Sequence, residues 1–287
     1  YSMTNLDDKF IKSYLNREGF WYSFKRSVGD IGNLFLLFRY LQVYEGLNWN
    51  KQQKEFSDIL IKEKLLTPSK NSEDSSANSR GIKKVFELLG LCFVDEQEKL
   101  QITSAGKKFL QSTSNEELYE IKTSQLLKYQ INNPLIKSKN FEEMQIKPFA
   151  FLLRLLTNLE NQSISATEFK LFLSRAHHIN EFESILELVK DWRNSSEIEK
   201  DKIKNKLSNS KIYEKISSYT GYSMVFFGKS IFTEITEFED ENVIYLKQDK
   251  IEQIKKILKN DGIYDYQSNL DKVEEFMSYY GTLDSEN

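Results

Sequence analysis

Two apolar runs, LFLLFRYLQV (34–43) and FAFLLRLLTN (149–158), each carry a single arginine, Arg39 or Arg154. Both are too long for an isolated strand, which makes each a buried helix. A second apolar–polar segment follows each run. KEFSDILI (54–61) places Glu55, Phe56 and Leu60, and TEFKLFLS (167–174) places Glu168, Phe169 and Leu173 in the same spacing. A third pair then aligns at a constant offset, ANSRGIKKVFELLGLCFV (77–94) with SNSKIYEKISSYTGYSMV (208–225). Asn78 meets Asn209, Ser79 meets Ser210, Arg80 meets Lys211, Lys84 meets Lys215, Gly90 meets Gly221 and Val94 meets Val225. Each copy opens on a polar cluster with a basic residue and continues with helical apolar spacing. A glycine is expected to close each helix.

Beyond the first copy, LCFV and LQIT read as two short strands around a polar turn at Asp95–Lys99. Thr103 or Ser104 is expected to cap a helix beginning at Ala105. Beyond the second copy, SMVFFG (223–228) and NVIYLK (242–247) are the expected strands, flanking a longer acidic insert. Asp249 is expected to cap a helix, KIEQIKKILKN, closed by Asp261 and Gly262. The predicted order in each unit is helix, helix, helix, β-hairpin, helix, which is that of a winged helix. The fold class expected is mainly α with small β-hairpins (α+β), as two tandem winged-helix (helix-turn-helix) units. The expected divisions are 1–112 for the first unit with N-terminal helices, 113–146 for a connecting helix and loop, 147–262 for the second unit, and 263–287 for a C-terminal helix and linker stub. Ser114 and Glu117 form a capping-box pattern in the connecting helix, and 196–208 is a charged helix inserted in the second unit.

Composition narrows the class. Of 287 residues, 39% are hydrophobic and 13% aromatic, enough for real cores, and 29% are charged, which argues against wholesale disorder. The single cysteine, Cys92, excludes an internal disulfide and fits a reducing compartment. No apolar run has the length of about 20 residues that a membrane span needs. The usage of Lys, Asn, Ile and Ser is that of an AT-rich bacterial genome, and a bacterial cytoplasmic protein is expected. Tyr1 and Ser2 read as an extension ahead of a native Met3. A net charge of −3 counts against nucleic acid. A basic stripe on an acidic body nevertheless makes a local positive field.

The repeated cluster supplies such a stripe. In a helix-turn-helix the residues at the start of the recognition helix meet base edges, and free N–H groups there suit phosphate. Arg80 is expected to contact guanine bidentately, with Lys211 its less directional counterpart. Asn78, Ser79, Asn209 and Ser210 stand beside them, and Lys83, Lys84 and Lys215 lie one turn on, suited to phosphates. The same residues also read as ordinary caps and solvated lysines. FWYSFKR (20–26) adds Lys25 and Arg26 among aromatics, compatible with base stacking but more often a packed core with snorkelling charges. His177 and His178 have no spaced partners to complete a metal set and read as a loop pair. Cys92 falls in an apolar strand as inert packing, and YEIK, EQEK and EIEK (119–122, 96–99, 197–200) do not assemble a nuclease centre. No catalytic or metal-ligating residue is assigned.

FVD (93–95), Leu100, Ile102, Thr103 and AGK (105–107) resemble a segment of AlwI-like type IIS restriction endonucleases and their site-specific nicking relatives. So do Pro148, Phe149, Phe151, Leu153, Leu155 and Leu156, and VEEF (273–276) with YYG (279–281) resembles the junction where such enzymes leave the recognition region. The resemblance implies an N-terminal region that binds a short asymmetric duplex site. It also implies a separate PD-(D/E)xK nuclease domain that cuts nearby and carries the expected Mg²⁺. This chain is expected to be the recognition region, a monomer without cofactor of its own, from a parent type II (IIS) site-specific deoxyribonuclease. Its helices 80–89 and 211–220 would read one continuous duplex. Two other classes remain open, a winged-helix transcriptional regulator and a protein–protein interaction module.

Overall fold

Asp30 and Asn48 start the first two helices. The Asp30 carboxylate accepts the Asn33 amide at 2.8 Å and opens α1 (Ile31–Gln42); the Asn48 side chain accepts the Lys51 amide at 3.1 Å and opens α2 (Trp49–Lys62). The third helix, α3 (Ala77–Leu88), ends in a Schellman motif. Gly90 adopts φ +69°, its N–H donates to the Glu87 carbonyl at 2.9 Å, and the Leu91 N–H donates to Phe86 at 3.0 Å. Strands β1 (Cys92–Val94) and β2 (Leu100–Ile102) then pair antiparallel across a turn in which Asp95 accepts the amides of Gln97 and Lys99. Thr103 caps α4 (Ser104–Leu110) by accepting the Gly106 amide at 3.0 Å. In α5 (Asn115–Lys128), Ser114 accepts the Glu117 amide, while the Glu117 carboxylate accepts from Thr113 one residue earlier than a capping box requires.

The second copy repeats this order with an insertion. Pro148 opens α6 (Pro148–Thr157), every residue of which except Arg154 and Thr157 is buried. A short strand, β3 (Ser163–Ser165), leads into α7 (Ala166–Leu171) through a full capping box between Ser165 and Glu168. Two inserted helices follow, α8 (Phe182–Asn194) and the charged α9 (Glu197–Ser208). The third helix of the copy is α10 (Lys211–Gly228), and β4 (Thr233–Phe238), β5 (Glu241–Leu246) and α11 (Ile251–Leu258) complete it. Helix α12 (Val273–Tyr280) lies nearest the C-terminus. The structure is a computed structural model. It describes residues 17, 19–21, 24, 30–68, 76–208, 211–267 and 272–283, without the side chains of 140, 207, 208 and 211–219.

The described residues are thus mainly helical with small antiparallel sheets. They differ from the sequence pattern in four places. SMVFFG (223–228) is the end of α10, not a strand. Thr220, Ser223, Met224 and Phe227 are buried in the i, i+3, i+4, i+7 rhythm of a helix. Gly221 consequently lies inside α10 and closes nothing. The strand falls instead in the expected insert, where TEITEF forms β4 and turns into β5 through Glu239 and Asp240, both at positive φ. Asp249 lies in a 3₁₀ turn, and α11 has no side-chain cap.

The second copy also carries an unforeseen third strand between its first two helices, and in the first copy an antiparallel bridge of Asn48 with Lys99 takes its place. β3 pairs with β5, giving the order β3-β5-β4. In the first copy the Gly46 N–H donates to Leu100 at 2.7 Å, the Leu100 N–H to Leu47 at 3.0 Å and the Trp49 N–H to Glu98 at 2.9 Å. Polar residues and a single glycine hide this short edge from any periodicity.

The chain forms two compact units. The first-repeat unit takes Phe24–Tyr129, Asn133–Leu135 and Gln267–Asn287; the second-repeat unit takes Tyr1–Ser23, Gln130–Asn132 and Ile136–Tyr266. Of the described residues, 17 and 19–21 therefore group with the second copy, and 267 and 272–283 with the first. Phe38 centres the first core, 4.7 Å from the Phe86 ring and 5.8 Å from Phe109. Trp21 centres the second, edge-on to Phe151, Phe169 and Phe227 at 6.2, 5.8 and 6.1 Å.

Candidate nucleic-acid interface

The first two turns of α3 hold the polar cluster of the first copy. Ser79 is buried, its hydroxyl directed at the carbonyl oxygens of Ser76 at 2.8 Å and Gln53 at 3.0 Å. It anchors α3 to α2, which corrects its assignment as a residue available to a ligand. Asn78 is half-buried, with Nδ2 donating to the Thr67 carbonyl at 3.3 Å. Arg80 is exposed, and its Nη1 donates to the Ser76 hydroxyl at 2.6 Å. That contact holds the guanidinium against the start of the helix.

Lys83 and Lys84 both serve Glu87, a carboxylate only 4% exposed. Lys83 donates to one Glu87 oxygen and lies 5.5 Å above the Trp49 ring. Lys84 donates to the other oxygen at 3.2 Å and to the Leu135 carbonyl at 2.8 Å. Lys84 keeps 32% of its side chain exposed against 12% for Lys83, so it is the more accessible of the two. Glu87 was not singled out from the sequence, although its i+4 spacing from Lys83 is the signal for such a pair.

Ala77, Arg80, Gly81 and Lys84 share one face of α3 at i, i+3, i+4 and i+7, and none of them is buried. A Cβ added at Gly81 would meet nothing within 4 Å. This face is small and open at its centre, with a cation at either side. A groove wall carrying negative charge could approach the backbone there closely.

The second copy is less defined. Asn209 and Ser210 lie outside the described residues, as do the side chains of Lys211 and Lys215; the backbone places Lys211 at the start of α10. Lys25 and Arg26 also lie outside them. Trp21 and Phe24, from the same aromatic segment, are 1% and 0% exposed, so they are core residues rather than a stacking platform.

The hairpin of this copy ends in an exposed acidic tip, with Phe238 57% exposed among Glu237, Glu239 and Asp240. The histidines are structural. His177 Nε2 is 2.9 Å from the Gly19 carbonyl, and burial, reinforced by Arg17 and Arg175, holds its pKa below the ordinary value against the Gly19 hydrogen bond and the Glu181 charge. His178 Nδ1 accepts the Asn180 amide at 3.0 Å. Burial raises the Cys92 thiol far above the ordinary range, which leaves it inert. Among the described residues no three His, Cys, Asp or Glu side chains converge where a metal ion could sit, so they offer no donor set for Mg²⁺. No described helix is long and apolar enough to cross a membrane.

A family model described as AlwI restriction endonuclease matches residues 87–284, more than half of the chain. A crystal structure of pyrene- and phenanthrene-modified DNA in complex with the BpuJ1 endonuclease binding domain is similar in fold. The TM-score is 0.53 at 15% identity, over 86% of this chain and 90% of that one. No curated protein matches the chain.

Proposed function

The chain belongs to the AlwI restriction endonuclease family, and from that premise we propose that it recognises a short asymmetric site in duplex DNA through two tandem winged-helix units. The shared order of elements supports the winged-helix reading. Helix, edge segment, helix, helix and hairpin recur as α1, residues 46–48 with a bridge at Asn48, α2, α3 and β1–β2, and as α6, β3, α7, α10 and β4–β5. The similarity in fold to a binding domain crystallised with DNA points the same way. The observation that carries the reading is the open face of α3, with Arg80 exposed at its start and nothing packed over Gly81.

In this reading the start of α3 enters the major groove, Arg80 reads a guanine and Lys84 neutralises a phosphate. The start of α10, with Lys211 and Lys215, does the same for the second unit. The protein acts as a monomer in the bacterial cytoplasm. Cutting at a fixed distance from the site, the type IIS pattern, belongs to a PD-(D/E)xK nuclease domain and its Mg²⁺ outside these residues.

Selection of bound duplexes from a random pool, followed by titration of the selected site and an unrelated duplex, tests the reading. Arg80→Ala should remove about 1–3 kcal/mol of discrimination at one base pair. Lys84→Ala should weaken both duplexes alike and shallow the salt dependence by about one phosphate. Failure to bind any duplex more tightly than about 10⁻⁴ M at low salt would exclude DNA recognition. One observation favours a different role for a single element. The acidic β4–β5 tip with its exposed Phe238 suits a protein surface better than a phosphate backbone. Neutralising Glu237 and Glu239 should then leave DNA affinity unchanged or raise it.

A further inference from the structure

Each copy has one arginine in the last turn of its first helix, Arg39 in α1 and Arg154 in α6. The two occupy equivalent places in the repeated apolar runs, and an aromatic ring underlies each. The guanidinium carbon of Arg154 lies 3.8 Å from the Phe182 ring centroid and 5.5 Å from that of Tyr264. That of Arg39 lies 5.9 Å from the Phe35 ring centroid.

The other described arginines are engaged by polar groups. Arg17 pairs with Glu181, Arg193 with Glu168, Arg80 bonds Ser76, and Arg175 is buried against the Arg17 carbonyl. Arg39 and Arg154, by contrast, have no hydrogen-bond acceptor or carboxylate for their side chains among the described residues. A ring beneath a guanidinium fixes its plane and leaves the N–H donors along its edge directed outward. That arrangement favours bidentate binding of an oxyanion, because little side-chain freedom is lost when the ligand arrives. A cation in the last turn of a helix also favours the helix dipole, which would explain the charge but not an aromatic ring within 6 Å of the guanidinium in both copies. The position matters as well. Each arginine lies just ahead of the connection between the first and second helices, the place from which homeodomains contact the DNA backbone.

We propose that Arg39 and Arg154 are a repeated pair of phosphate clamps, each gripping one backbone phosphate of the bound duplex from the first helix of its unit. The proposal rests on the DNA reading above and adds a second kind of contact to it, independent of sequence. It is tested on the whole chain with a mixed-sequence duplex, by following log Kobs against log salt for the wild type, Arg39→Gln and Arg154→Gln. Glutamine keeps a planar group over the ring and removes the charge.

Each substitution should reduce the magnitude of the slope by about 0.9, the value for one lost phosphate contact. The two losses should add, and the thermal midpoint should stay in place. Arg154→Lys should keep the slope while lowering affinity, because the charge remains and the fork is lost. If both glutamine variants keep the wild-type slope, the arginines are structural and the inference fails while DNA recognition stands. A lower thermal midpoint with an unchanged slope has the same meaning, since a cation serving only the helix end moves stability alone. If the wild type binds no duplex at low salt, the reading beneath falls and the inference falls with it. Arg39 is exposed, so its variant reports even if substitution at Arg154 disturbs packing.

Discussion

Gly90 holds φ +69°, and a Cβ placed there would sit 2.5 Å from Nε2 of Gln125 and 2.7 Å from the Tyr280 carbonyl oxygen. Both the backbone region and the space demand glycine. Gly221, its counterpart in the second copy, lies inside a helix with nothing within 4 Å of the same added atom. Alanine should therefore act in opposite directions at the two sites. Gly90→Ala should destabilise by at least about 1–2 kcal/mol, the cost of a left-handed alanine before any clash. Gly221→Ala should stabilise by about 0.5–1 kcal/mol, the penalty of a mid-helix glycine removed. Urea midpoints measure both, and a loss at Gly221 would mean that α10 needs its flexibility or a close neighbour there. The residue alignment was legible in the sequence; the roles were not. Glycine marks a helix end only when the next residues turn away, and Tyr222–Gly228 continue with buried positions at helical spacing.

The C-terminal end of α3 is held in part by a helix distant from it in sequence. Helix α12 brings its C-terminal carbonyls beside those of α3, and α5 supplies donors to both. Gln125 Nε2 donates to Leu89 at 3.0 Å and to Tyr280 at 2.6 Å, Lys128 Nζ reaches the Thr282 carbonyl, and the Tyr280 hydroxyl donates to Leu88. The Ala105 N–H adds a bond to the Gly281 carbonyl at 2.8 Å. Helix C-termini carry partial negative charge, so the Lys128 ammonium stabilises the end of α12, where it reaches the Tyr280 and Thr282 carbonyls. It is only 8% exposed, and the Tyr279 ring lies 5.6 Å from it. Lys128→Met keeps the volume and removes the donors. The variant should lose about 1–3 kcal/mol, because the carbonyls it served stay buried. Amides of α12 should exchange faster in hydrogen-exchange measurements, and unchanged protection there would show that apolar packing of Phe276, Met277 and Tyr280 suffices to hold the helix. YYG is thus a packing motif, with Gly281 lying against Thr103 where a Cβ would approach to 2.6 Å.

At the scale of the whole chain, the repeat was readable because both copies preserve apolar spacing. Phe56 and Leu60 pack as Phe169 and Leu173 do, all at 0% exposure. The open face of α3 was half legible. Arg80 stood out by charge and Glu87 stands at the i+4 spacing that pairs it with Lys83, whereas the burial of Ser79 depends on Gln53 of α2, which no local pattern reveals. Least legible was which segments belong to which unit, since that is decided by contacts across more than a hundred residues. Trp21 is the plainest case. It precedes the whole first copy in sequence, yet its backbone N–H donates to Ser174 at 2.8 Å and its Nε1–H to Ala176 at 2.9 Å, in the second-repeat unit. Three aromatic rings of that unit, Phe151, Phe169 and Phe227, surround the indole, so Trp21 closes a core that the second copy leaves open by itself. Trp21→Ala should cost about 3–5 kcal/mol, the usual result of emptying a site of this size. The loss should appear where the indole packs: amides around Phe151 in α6, Phe169 in α7 and Phe227 in α10 should lose exchange protection although they lie far from Trp21 in sequence. Trp21→Phe should recover part of the stability by refilling the cavity while leaving the Ala176 carbonyl without its donor. Full protection of those amides in the alanine variant would mean that the second copy completes its own core, and that the N-terminal segment merely lies on it.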